Sequence, residues 1–421
     1  MSNPSVTIVP LVNVPSSTPP TLLWNYKRGS GISSSPVVDD GIVYVGASDG
    51  NVYALNATNG AQLRNYTNID NASGYGVPNY DNFSPAVVNG VIYLPGGVTV
   101  NALNTANGAL LWSDAPFLNI QVFFTSPVVA DGVVYTTTTQ MTFVLFAFNA
   151  KTGNELWSAP TTYFQVWSSP DVVNGVVYVG SADYIGSQSP ACGVYALNVK
   201  NGAQLWNYSS GYSVGASPVV VGGVVYFVTY EGTVYALNAQ NGIQLWNYTT
   251  GGPVYSSPGP VYSGAVYSSL AVVNGVVYAG SDDGNVYALN ATSGAKLWSS
   301  TVGNGTLSSP AVDGGVVYVG SSDDNIYALN AANGVKLWNY TIGGSVDSPV
   351  VVNGVLYVGG GDSVYALRVS SSSPASPSSF STLTIAIGAV VVASVVVVTA
   401  VVLILKKKLK LGVKNGFASE I

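Results

Sequence analysis

Ser309-Pro310-Ala311-Val312-Asp313-Gly314-Gly315-Val316-Val317-Tyr318-Val319-Gly320-Ser321 continues into Asp323-Asp324-Asn325-Ile326-Tyr327-Ala328-Leu329-Asn330 and then Gly334-Val335-Lys336-Leu337-Trp338. This stretch is one copy of a unit of about forty residues, and a repeat of that period with strand-like content specifies a propeller or solenoid. Aligned on the Ser-Pro step, eight copies start at Pro36, Pro85, Pro127, Pro170, Pro218, Leu270, Pro310 and Pro349. Each reads as four strands: Pro-Val-Val-Val, Val-Val-Tyr-Val-Gly, Val-Tyr-Ala-Leu-Asn and Leu-Trp-Asn-Tyr. The Asn-Gly, Asp-Gly and Gly-Gly pairs between the first two strands tolerate the positive φ of a two-residue hairpin.

The eighth copy stops at Tyr365-Ala366-Leu367-Arg368, before its fourth strand. The missing piece, Leu22-Leu23-Trp24-Asn25-Tyr26, stands ahead of the first copy. An N-terminal strand that completes the last blade closes a ring and removes the free edges that invite aggregation. The expected fold is therefore all-β, an eight-bladed propeller of four-stranded blades over residues 22–368 with an N-terminal closing strand. A polar lead, 1–21, precedes it.

Composition narrows the chemistry. The 421 residues contain no His and a single Cys192, so a Ser-His-Asp site, a disulfide within the chain and a Cys-based zinc site are excluded. Charged residues make up only 8%. Up to Thr382, eight Lys and Arg face eighteen Asp and Glu, a net of −10, which argues against a nucleic-acid partner. Many acidic residues sit in turn contexts such as Asp49-Gly50, Glu231-Gly232, Asp283-Gly284 and Asp324-Asn325, without the alternating pattern of a calcium loop. Carboxylate pairs suited to glycoside hydrolysis are not decided by sequence, because their separation is a three-dimensional fact.

Residues 383–405 carry no charge and are dominated by Val, Ile, Leu and Ala. As a helix they would span roughly 34 Å, enough to cross a hydrocarbon core of about 30 Å. A buried strand is the rival reading, but strands seldom exceed about ten residues. The stretch 369–382 reads as a Ser/Pro stalk, and Lys406-Lys407-Lys408-Leu409-Lys410 opens a basic tail, 406–421, expected on the cytoplasmic side. The propeller is then expected outside the cell membrane as part of a single-pass protein, although residues 1–20 lack the features of a signal peptide. A tail-anchored protein with a cytosolic propeller is the alternative. Nine Asn-x-Ser/Thr sequons, at Asn56, Asn65, Asn71, Asn82, Asn207, Asn247, Asn290, Asn304 and Asn339, are candidates for N-glycosylation.

The motif Tyr-Ala-Leu-Asn-x-x-x-Gly-x-x-Leu-Trp resembles the repeat of the pyrroloquinoline-quinone (PQQ) enzyme-like propellers. That superfamily includes quinoprotein alcohol dehydrogenases and the propeller lipoprotein of the bacterial outer-membrane assembly machinery. The resemblance implies that Trp24, Trp112, Trp157, Trp206, Trp246, Trp298 and Trp338 dock between blades. Arg64 stands at that position in the first copy, a departure expected to loosen one junction. A quinoprotein would hold PQQ and calcium in the central funnel. The vicinal Cys pair that many such enzymes carry is missing, and only Glu155 and Glu231 occur in the propeller. No catalytic, cofactor-binding or metal-ligating residue is assigned.

The deviations between copies point to a surface. Connections between strands two and three, and between blades, emerge on one face, whereas those between strands one and two, and three and four, emerge on the other. The insertions, Asn68 to Asn82, Pro116 to Phe124, Ser158 to Trp167, Ala182 to Gly193 and Pro258 to Ser268, all belong to the first set. They carry Tyr75, Tyr80, Phe117, Phe123, Phe124, Tyr163, Phe164, Trp167, Tyr184, Tyr262 and Tyr267, an aromatic set suited to binding a protein or glycan. Three readings follow: a membrane-anchored binding or scaffold module without catalysis, a PQQ-dependent dehydrogenase, and an inert envelope component.

Overall fold

The computed structural model describes residues 17–369, except 30, 33, 68–83, 96–98, 116–123, 139–143, 161–167, 183–191, 252–267 and 304–306. Eight antiparallel four-stranded sheets follow one another around a ring. Blade 6 is typical, with strands Ala271–Val273, Val276–Gly280, Asn285–Asn290 and Lys296–Thr301. The first strand of each blade is innermost and touches the first strands of both neighbours, Val37–Asp39 meeting Val350–Val352 to close the circle.

Blade 8 is completed as the repeat predicts. The strand Thr21–Lys27 pairs antiparallel with Ser363–Arg368, with Asn25 opposite Tyr365 and Lys27 opposite Ser363. The two salt bridges found among the described residues both hold this strand: Lys27 Nζ to Asp362 Oδ2 at 3.3 Å, and Arg28 Nη2 to Asp49 Oδ2 at 2.7 Å. The first lies within blade 8, and the second crosses to blade 1. Arg28 also lies over the Tyr53 ring, 4.7 Å from its centroid. The first pair sits at the seam within blade 8 where the N-terminal strand meets the last strand of the propeller, the one strand pairing that joins the two ends of the ring. Because these pairs are exposed, Arg28→Ala should lower the melting temperature only slightly, and less still in about 1 M salt. Thermal melts at low and high salt check this.

The strands bury both faces because each blade is sandwiched between two others. Val43, Val177, Val225, Val277, Val317 and Leu356, all in second strands, are fully enclosed. The fourth strand alternates instead: Leu245, Asn247 and Thr249 face solvent while Trp246 is buried and Tyr248 partly so. All eight turns between first and second strands are two-residue turns, with φ of 44–60° at the first position and 73–81° at the second. Asn, Asp and Gly are the residues that tolerate that backbone, which is why they recur there. Among the described residues no helix is long and apolar enough to cross a membrane, and residues 383–405 lie outside them.

Candidate functional site

The blade junctions are sealed by a row of Trp rings that tie each blade to the next. Trp24, Trp112, Trp157, Trp206, Trp246 and Trp298 each donate their indole N–H to a backbone carbonyl of the next blade at 2.8–3.0 Å. Each ring also lies flat against the turn glycine of that blade. A methyl group at Gly60, Gly153, Gly202, Gly242, Gly294 or Gly334 would come within 2.7 Å of the ring. Trp338 is buried against blade 8 beside Leu367 and Val369, where the chain leaves the propeller and no such glycine follows.

A second row was not anticipated. The second-strand tyrosines Tyr93, Tyr178, Tyr226, Tyr278 and Tyr357 donate to the same carbonyls as Trp112, Trp206, Trp246, Trp298 and Trp24, at 3.1–3.2 Å. One carbonyl has two lone pairs, and here both are used by the preceding blade. The fixed Tyr in Val-Val-Tyr was the available signal. Trp246→Ala removes both the ring and one of the two donors to Ala291. It should cost about 3–5 kcal/mol in denaturant unfolding, as truncation of a buried large aromatic does.

At the junction where Arg64 stands, a different ring fills the space. Tyr66, two residues on and therefore on the same strand face, is buried and donates to the Thr105 carbonyl at 2.8 Å. Its ring covers Gly108, so phenol replaces indole.

Around the axis, the serines just before the inner strands form a collar. Ser84, Ser169, Ser269 and Ser309 donate backbone N–H to the Oγ of Ser126, Ser217, Ser309 and Ser348 in the following blade, at 2.8–3.1 Å. One residue earlier, the Oγ of Ser34, Ser168 and Ser308 accepts from Gly46, Gly180 and Gly320 at 2.7–2.9 Å. Blade 8 has Asp347 at that position. Its Oδ2 is enclosed without a partner and lies where a Cβ on Gly359 would collide with it. Asp171 replaces the small apolar residue that opens the inner strand of blade 4. Its Oδ2 accepts from Val220 N at 2.8 Å, while its Oδ1 has no partner. Burial pushes the Asp171 carboxyl up to about 7, against the pull of the Val220 and Val172 N–H groups. Burial raises Asp347 as well.

On the face where second strands run into third strands, Asp49, Asp283 and Asp323 each accept from the Tyr four residues on, Tyr53, Tyr287 and Tyr327, at 2.6–2.7 Å. Burial opposes ionisation there. The bonds from Tyr and from the neighbouring Asn outweigh it, and these carboxyls stay below the usual range. Acidic residues in these turns are thus consumed by the turn itself. Among the described residues no three His, Cys, Asp or Glu side chains gather into a set that could hold a metal. Cys192 is buried, its Sγ 3.9 Å from Ser213 Oγ.

Of the aromatic set read as a binding face, Tyr75, Tyr80, Phe117, Phe123, Tyr163, Phe164, Trp167, Tyr184, Tyr262 and Tyr267 lie outside the described residues. Phe124 is placed and corrects the expectation for that position. It bridges to Thr138, is fully buried, and packs edge-to-face on Phe146 at 6.1 Å. It therefore belongs to the core.

The family profile described as Outer membrane protein assembly factor BamB (PQQ_2) matches residues 16–185, 147–268 and 259–408. The chain belongs to this PQQ_2 family. Among curated proteins it is 26% identical over 233 residues to a tetrathionate hydrolase of Acidithiobacillus ferrooxidans, covering 49% of this chain and 43% of that one. It is 28% identical over 257 residues to the outer membrane protein assembly factor BamB of Yersinia pestis, covering 54% of this chain and 61% of the relative. The chain therefore spans about half the length of these relatives. The crystal structure of BamB from Moraxella catarrhalis matches with a TM-score of 0.63 at 17% identity, over 83% of this chain and 99% of that one. A quinohemoprotein alcohol dehydrogenase from Comamonas testosteroni matches with a TM-score of 0.67 at 18% identity, over 83% and 76%. At such identities the likeness to these structures is one of fold, which does not by itself assign a function.

Proposed function

We propose that this PQQ_2 propeller is a binding and scaffold module for a protein partner, held outside the cell membrane by residues 383–405 with its basic tail in the cytoplasm. The carrying observation is the asymmetry of the two faces. On one, eight first turns share a single geometry, and the Asn of each third turn accepts the N–H two residues on in the same way. The strand ends of the other face bracket all five insertions, with their load of Tyr, Phe and Trp. A rigid ring with one individual face suits recognition through loops. The similarity to outer membrane assembly factors supports a protein rather than a small molecule as partner.

Trp167, the Trp outside the repeat register, is the anchor of choice. With the full chain in the membranes of the cells that produce it, Trp167→Ala should lower recovery of a co-purifying partner at least tenfold. The melting temperature should not change. Unchanged recovery would exclude the chosen face. Protease added to intact cells tests the topology. Cleavage of the propeller from outside is expected, and full protection would move it to the cytosol.

A further inference from the structure

We infer that the rim of the propeller carries N-linked oligosaccharide at Asn65, Asn207, Asn247 and Asn339, and that Asn56 and Asn290 remain unmodified despite equally valid sequons. The inference rests on the external placement proposed above.

The six sequons within the described residues fall into two structural groups. Asn56 and Asn290 close third strands. There Oδ1 accepts from Thr58 N and Asn59 N at 2.9 and 3.2 Å, and from Thr292 N and Ser293 N at 3.0 Å each. Asn104, Asn149, Asn198, Asn238 and Asn330 brace the same turn where no sequon exists. The structure thus needs Asn at 56 and 290 for the fold, and the Thr two places on is incidental. The Asn is tied down, one residue before the carbonyl that accepts the preceding blade's Trp.

The other four stand in Asn-Tyr-Thr/Ser on outermost strands, exposed, with the hydroxyl residue on the same outward face. Among the described residues no hydrogen bond holds the side chain of Asn65 or Asn247. Asn207 only accepts, from Gln204 Nε2 at 3.2 Å, and Asn339 donates to Asn325 Oδ1 at 3.3 Å in the open. Blades 2, 3 and 6 use Ser113, Ser158 and Ser299 at this position, so the strand itself does not require Asn. An amide nitrogen presented to solvent with a hydroxyl two residues on is the acceptor chemistry of N-glycosylation.

The neighbour two residues before each Asn gives the sugar something to cover. Leu63, Leu205 and Leu245 are 47–50% exposed on the same strand face, and Leu337 is partly exposed. Large apolar side chains repeated around a circumference are an association hazard, which a flanking oligosaccharide shields.

Peptide mass spectrometry of the full chain, purified from the membranes of the cells that make it, tests this. Hexose or N-acetylhexosamine additions are expected on the four rim asparagines and none on Asn56 or Asn290. Bare rim asparagines, or equal modification at Asn56 and Asn290, would overturn it. A propeller that external protease cleaves but whose rim is bare sinks the rim proposal alone; one that is protected and bare sinks the location with it. The fourfold variant N65Q/N207Q/N247Q/N339Q should at least double its mass by light scattering at equal concentration, while N56Q/N290Q, if folded, should stay at the wild-type mass. An unchanged mass in the fourfold variant would contradict the shielding role.

Discussion

Removal of the closing strand is expected to abolish cooperative folding. A chain lacking residues 1–29 loses the six paired residues against Ser363–Arg368, both salt bridges, and Trp24. Trp24 donates to the Ala57 carbonyl at 2.9 Å, beside the Tyr357 hydroxyl at 3.2 Å, and covers Gly60, at the junction where blade 8 meets blade 1. Truncating such a ring costs about 3–5 kcal/mol, a large share of the roughly 5–15 kcal/mol that holds a typical domain. The strand Ser363–Arg368 is then left as an open edge, which invites pairing between molecules. Calorimetry of the truncated chain should show no sharp transition, or the protein should be recovered only as aggregate. Trp24→Ala should keep the transition but lower it well below that of Leu22→Ala, whose side chain is already 41% exposed. A synthetic peptide of residues 17–29 should restore the transition by adding the missing strand. A truncated chain with wild-type melting would mean that the ring does not depend on this closure.

The second large effect is the pH dependence set by the carboxyl groups near the axis. An ordinary Asp titrates near 3.9, whereas burial raises Asp171 to about 7, so the folded chain binds a proton that the unfolded chain has lost. Its contribution to stability is complete below the unfolded value and is lost as pH rises through about 7. The upper bound on that loss is about 4 kcal/mol, from three pKa units at 1.36 kcal/mol each. Asp347 acts in the same direction. The Asp–Tyr clamps at Asp49, Asp283 and Asp323 act oppositely, since their carboxyls are lowered and their contribution disappears in acid. Stability should therefore peak on the mildly acidic side, near about pH 4–5, and fall toward pH 8. Asp171→Asn keeps an acceptor for Val220 N and removes the charge. It should raise the melting temperature by several degrees at pH 8 and by roughly a third as much at pH 5. A variant that is destabilised equally at both pH values would show that the carboxylate is ionised and needed in the fold.

The blade count, the closing strand and the Trp junctions were legible because they rest on local patterns repeated eight times. What escaped the sequence depends on three-dimensional substitution. Tyr66 takes over from Arg64 because the two side chains share a strand face, a relation visible only once the neighbouring turn is in place. Asp171 and Asp347 look like two more acids in a chain whose acids mostly serve turns. Their significance comes from where they stand: Asp171 opens an innermost strand, where the other blades have Val or Ala, and Asp347 precedes one, at the position held by Ser34, Ser168 and Ser308 elsewhere. Phe124 ends an insertion yet pairs back to Thr138 and enters the core. Sequence placed it correctly in the connection and wrongly on the surface. The binding face was inferred from where the repeat is interrupted, and insertions carry no periodic signal from which side-chain placement could be read.

The most direct test of the central claim compares the two faces of one blade. A photo-activatable amino acid is placed at Trp167, in the insertion before blade 4, or at Asn174, in that blade's first turn on the opposite face, in the full chain within its producing cells. The scaffold reading predicts one discrete cross-linked protein from position 167 and none from position 174. Cross-linking from 174 alone, or equally from both, would contradict it.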